Sequence, residues 1–79
     1  MYQAFVQLEK VEDVKRFVAL CSQVPFDVEL KDGHYVTDAK SIMGIFSLNL
    51  SHTVTLEADC DGEEAAGFAR MIQAYTVLS

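Results

Sequence analysis

Asp32-Gly33 joins two short runs, Phe26 to Lys31 before it and His34 to Thr37 after it. In the first run Phe26, Val28 and Leu30 alternate with Asp27, Glu29 and Lys31, the period-two signature of a strand with one buried and one wet face. Asp-Gly between such runs predicts a two-residue hairpin turn, because glycine accepts the positive φ that the turn demands. The chain must therefore build an antiparallel sheet, and a sheet with one apolar face needs a covering layer.

The flanking sequence supplies that layer. Tyr2, Ala4, Val6 and Leu8 alternate with Gln3, Phe5 and Gln7, which predicts a first strand. From Val11 to Ser22 the apolar positions Val11, Val14, Phe17, Val18 and Cys21 are spaced by three and four, with Glu12 and Asp13 in the first turn, so an amphipathic helix follows. Val24-Pro25 ends it. After the hairpin a short helix opens behind Ser41 and closes near Asn49, and Leu50 to His52 form a loop. Val54, Leu56 and Ala58 alternate with Thr53, Thr55, Glu57 and Asp59 as a fourth strand. Asp61 and Glu64 have the spacing of an N-cap and its N3 partner ahead of Ala65, Phe68, Ala69 and Ile72, a last helix reaching about Tyr75. The order β-α-β-β-α-β-α predicts an α+β, two-layer open-faced β-sandwich, one domain over residues 1–79, with three helices covering one face of a four-stranded antiparallel sheet.

Composition narrows the function classes. With 51% hydrophobic and 23% charged residues, the 79-residue chain is expected to fold alone around one core. Twelve acidic residues against six basic ones give a net charge of −6, the wrong sign for nucleic acid, whereas a basic patch on a protein partner would suit it. Cys21 and Cys60 are too far apart in sequence for a close metal or redox pair, so two reduced, buried thiols and no metal or cofactor are expected. Neither a basic leader with an apolar core nor an apolar run approaching about 20 residues is present, which predicts a cytoplasmic protein with no membrane partner.

Lys40-Ser41-Ile42-Met43-Gly44, continued by Ser47-Leu48, resembles the regulatory-serine segment of the HPr family, the small phosphocarrier proteins of the bacterial sugar phosphotransferase system and their regulatory relatives. The Asp27-Val28 strand, the Asp32-Gly33 turn and the acidic entry Asp61-Gly62-Glu63-Glu64-Ala65 extend the resemblance over residues 24 to 75. It implies an HPr fold with sheet order 1-4-2-3. It also implies that Ser41 is a site of regulatory phosphorylation and that Lys40, Ile42, Met43 and Phe46 form a surface for partner proteins. The partners so implied are an HPr-type kinase and a transcription regulator or phosphotransferase-system component.

The resemblance fails where the family carries its phosphoacceptor histidine, in a Gly-x-His-x-Arg-Pro stretch between the first strand and helix. Here the junction is shorter and reads Leu8-Glu9-Lys10-Val11-Glu12-Asp13-Val14, with Lys10 near the place of the histidine and Glu12 near that of the arginine. A protonated amine is a poor nucleophile, and an acidic neighbour repels a phosphoryl group, so histidine-type transfer is expected to be lost. His34 follows the hairpin turn and His52 precedes the last strand, neither at a helix start beside an arginine.

Ser41 at a helix start predicts an N-cap, and a phosphate there would meet free N–H groups and the positive end of the dipole. Ile42, Met43, Ile45, Phe46 and Leu48 exceed the three-in-seven share of a core-facing stripe. Either the last helix buries them all, or Ile42, Met43 and Phe46 stay partly exposed as a docking patch. The expected function is thus a non-enzymatic, HPr-like regulatory or interaction protein. The alternative is a phosphocarrier using an unconventional acceptor. A ferredoxin-like RNA-binding module fits poorly, because Gln3, Gln7, Thr53, Thr55, Glu57 and Asp59 stand where basic and stacking residues are needed.

Overall fold

Each alternating run becomes a strand in the computed structural model, which describes residues 1–77. The elements are β1 (Tyr2–Val6), α1 (Val11–Cys21), β2 (Val28–Asp32), β3 (Tyr35–Asp38), α2 (Ile42–Phe46), β4 (Val54–Ala58), α3 (Gly62–Met71), a 3-10 turn (Gln73–Tyr75) and β5 (Thr76–Val77). All strand pairs are antiparallel, and the sheet order is β3-β2-β4-β1-β5. Among the described residues the sheet has five strands, so its order differs from the expected four-stranded 1-4-2-3, although those four strands keep that order among themselves. Thr76 and Val77 pair with Val6 and Phe5 and add a short edge beyond β1.

β5 exists because α3 stops earlier than its sequence pattern suggests. The helix ends at Met71 instead of near Tyr75, and the 3-10 turn then brings the chain back to the sheet, with the Gln7 amide donating to the Tyr75 carbonyl at 2.9 Å. Tyr75 packs edge-on against Phe17 of α1, ring centroids 5.8 Å apart, which anchors that return. Phe68 of α3 makes edge-to-face contacts with Tyr2 and Phe26 at 6.1 and 5.3 Å, pinning α3 onto the sheet. One apolar cluster contains Val6, Phe17, Leu30, Ile45, Leu56, Phe68 and Ile72, all essentially without solvent contact.

Local chemistry shifts several boundaries. The hairpin turn is Gly33-His34, with Asp32 paired to Tyr35, so β3 begins one residue later than expected. Gly33 has φ of 63° and no other residue but Gly62 has a positive φ among those described; a positive angle at the first central position alone is the type II′ pattern. α2 ends at Phe46, short of Asn49, with Ser47 as its C-cap. Val11, expected on the buried stripe of α1, is 56% exposed because it is the first helical residue and lies beyond the edge of the core. Asp61 occupies the N-cap of α3 but makes no side-chain cap bond; its carboxylate instead accepts from the Met1 ammonium. At α1 the reciprocal bond is present, with Asp13 accepting from the Glu9 and Lys10 amides at 3.3 and 3.2 Å. The Lys10 ammonium has no lone pair with which to complete the other half.

Candidate functional site

α2 is the shortest of the three α-helices, and its entrance is chemically defined. Ser41 has extended backbone angles, and its Oγ accepts from the Gly44 amide at 3.2 Å, the expected N-cap bond. Ser41 itself is part-exposed. Gly44 is glycine because β3 passes directly over it: a Cβ there would lie 1.9 Å from Thr37 Oγ1 and 3.2 Å from Thr37 Cβ. The close approach holds the helix start against the sheet.

Burial then sorts the apolar residues of this segment. Ile45 and Leu48, three apart, enter the core, and Ile42 is half-buried against it. Met43 and Phe46, also three apart, are left on the outer side at 74% and 41% exposure. Complete burial under α3 does not occur; α2 packs instead against α1 and β3. Lys40 is not a free cation, since its Nζ donates to the Val24 carbonyl at 2.9 Å and ties the α1–β2 loop to the helix entrance.

The start of α1 offers a different environment. Lys10 is its N-cap, and Glu12 and Asp13 fill the first turn. Asp13 turns back on the two preceding amides, so a carboxylate already sits at the positive end of the helix. Glu12 is held loosely by Arg16 at 3.7 Å, an exposed pair one turn apart. An incoming phosphoryl group would face two carboxylates and no arginine from the family position.

The two histidines stand at the far ends of loops. His52 Nε2 lies 2.9 Å from Asp32 Oδ1, linking the α2–β4 loop to the hairpin, and His34 is exposed on the turn itself. Neither approaches a helix N-terminus of the described elements by sequence position. Cys21 is fully buried and its thiol is pushed up to about 12 by burial; Cys60 is buried too, and burial likewise raises its thiol. Both sit in the apolar core cluster. Among the described residues no group of three or more His, Cys, Asp or Glu side chains is arranged to hold a metal ion, and no helix is long and apolar enough to cross a membrane.

With that geometry in view, comparison with known proteins is specific. The family profile described as the PTS HPr component phosphorylation site matches residues 12–76. The chain belongs to the HPr family. Its fold is similar to that of an HPr protein from Thermoanaerobacter tengcongensis, at 26% identity over 94% of this chain and 93% of the other, with a TM-score of 0.74. The Bacillus subtilis catabolite repression protein Crh shares 31% identity over 94% of this chain and 88% of its own, with a TM-score of 0.66; that protein was found as a domain-swapped, intertwined dimer. The phosphocarrier protein HPr from Bacillus anthracis matches at 25% identity over 91% of this chain and 96% of the other, with a TM-score of 0.66. A search of curated protein sequences returns no match. The family match begins at Glu12, downstream of Lys10, and the chain contains no histidine before His34.

Sequence reasoning missed two contacts that shape the site. The Thr37 approach explains Gly44, and the Lys40–Val24 bond takes a residue expected at the partner surface into the internal structure. Neither leaves a local signal, because each joins residues on different elements.

Proposed function

We propose that this HPr-family chain is a non-enzymatic regulatory protein of the cytoplasm that docks partner proteins through the α2 surface and is switched by phosphorylation of Ser41. The observation that carries the reading is the juxtaposition of a capped, part-exposed Ser41 with the outward Met43 and Phe46 on one short helix. A phosphate on Ser41 brings about two negative charges to the edge of that apolar patch, enough to strengthen or repel a partner that buries it. Ile42 contributes its exposed fraction, and Lys40 acts by holding the helix entrance in place. An HPr-type kinase and a transcription regulator or phosphotransferase-system component are the partners this reading names.

The test has two arms. Incubation with an HPr-type kinase and ATP, followed by mass spectrometry, is expected to place one phosphate on Ser41; an unmodified Ser41 removes the switch but leaves the docking. Phe46→Asp, at an exposed site, is expected to keep the fold and lose partner capture, and undiminished capture ends the docking proposal.

A second reading, a phosphocarrier with an unconventional acceptor, draws on one observation: Asp32 orients the His52 ring. Enzyme I with phosphoenolpyruvate would then give an acid-labile phosphorylated species that His52→Ala abolishes. The regulatory reading is preferred because His52 has neither a helix start nor an arginine in its 2.9 Å contact, which is with a carboxylate that repels phosphate.

A further inference from the structure

Among the described residues the helices cover one face of the sheet and leave the other without a covering layer. Register makes that open face strongly acidic. Glu57 of β4 stands opposite Glu29 of β2, and Glu29 stands opposite Asp38 of β3, so three carboxylates lie in one row across three adjacent strands. The ladder continues past the strand ends, where the Asp59 amide donates to the Asp27 carbonyl and brings two more carboxylates to the same end of the face. Like charges directly opposite one another destabilise a sheet. Only part of that repulsion is relieved: Glu57 takes Lys31 at 2.8 Å and Gln3 at 2.9 Å, while Asp38 caps the Lys40 amide at 2.8 Å. The side chains of Asp27, Glu29 and Asp59 make no hydrogen bond or ion pair among the described residues.

Shape and rim add to the charge. A concavity of about 510 Å³ lies on this face, lined by these five carboxylates and by the exposed apolar side chains of Met1 and Val36, with the Met1 ammonium, which Asp61 holds, as a cation close enough to interact with Asp59. The carboxylates spread along rows and do not converge, and no metal-holding group forms among them. A point cation is therefore not the ligand that fits. Phosphate-bearing nucleic acids and anionic membranes carry the same sign and are repelled.

We propose that this open sheet face is a second docking surface, separate from the α2 patch, for a protein segment carrying several lysine or arginine side chains in extended conformation. The occupant follows from charge complementarity: five carboxylates spread over one open face without converging suit several cations spread along one extended chain, and the apolar rim accepts their aliphatic stems. Docking would relieve the cross-strand repulsion that the free protein sustains.

Titration of the labelled protein with a hexalysine peptide in about 50 mM salt, where screening is weak, tests this by amide NMR. Shifts are expected at Glu29, Asp38 and Asp59. The pair Glu29→Gln and Asp59→Asn is expected to weaken binding about tenfold, the size of losing close charge pairs. The control pair Glu63→Gln and Glu64→Gln removes the same charge from α3, on the other layer, and is expected to change binding less than about twofold. Equal weakening by both pairs would show attraction to net charge alone and overturn the proposal, as would shifts centred on α3 or no binding. The thermal midpoint of the face variant is expected to equal or exceed that of the parent; a fall would overturn the claim that the row is held at a cost.

Discussion

Replacing Gly44 by alanine sets two opposing effects against each other, and the geometry decides which is larger. In an exposed helix, Gly→Ala stabilises by about 1 kcal/mol through reduced backbone entropy and better propensity. At Gly44 the added methyl would meet Thr37 Oγ1 at 1.9 Å, well inside contact distance. Rotating the threonine side chain moves the hydroxyl but leaves Thr37 Cβ at 3.2 Å, so β3 and α2 must also separate. Overpacking of this kind costs roughly 1–3 kcal/mol. The net expectation is a loss of about 1 kcal/mol, or roughly 4–8 °C in thermal midpoint for a domain of this size. Circular dichroism melts of the parent, Gly44→Ala, Thr37→Ala and the double variant form a cycle, in which the double variant should recover the share of the loss due to the Oγ1 clash but not the share due to Thr37 Cβ at 3.2 Å, which alanine retains. A Gly44→Ala protein that melts higher than the parent would refute the reasoning, since propensity would then have won and the close approach of β3 would not constrain the helix.

Ser41→Ala is expected to cost about 0.5–2 kcal/mol by urea unfolding through loss of the Gly44 cap bond, whereas Ser41→Asp, itself a good N-cap, should stay within a few tenths of the parent. Hydrogen bonding from Lys31, with its positive charge, holds the Glu57 carboxyl below the usual carboxylate range, so the contribution of Glu57 is present above its unfolded pKa and fades as pH falls through the depressed folded value. Glu57→Gln should flatten that acid limb of the stability curve, read by melting at a series of pH values. Cys21, its thiol pushed up to about 12 by burial, should resist alkylation at neutral pH until the protein unfolds, as followed by mass spectrometry of iodoacetamide-treated samples with and without denaturant.

How much of the candidate site was legible depended on distance along the chain. Ser41 as a cap could be read because its partner is three residues away, and the bond to Gly44 is the one expected. The surplus of apolar residues in 42–48 could be counted, but not sorted. Ile45 and Leu48 went inward and Met43 and Phe46 outward because α1 and β3, distant in sequence, occupy one side of α2. Asp61 marked a helix start correctly, yet its side chain went to the Met1 ammonium, sixty residues away. β5 escaped notice because two residues, Thr76 and Val77, have no period to detect.

By itself the sequence determined the strand and helix order, the hairpin, the single acidic balance of charge and the helix entrance at Ser41, because periodicity, turn chemistry and capping act over a few neighbouring residues. Only the tertiary structure decided the fifth strand, the reason for Gly44, the internal use of Lys40 and the alignment of Glu57, Glu29 and Asp38 in one row. Those features depend on register and packing between segments far apart in the chain, where a shift of one residue would turn every side chain of a strand to the opposite face.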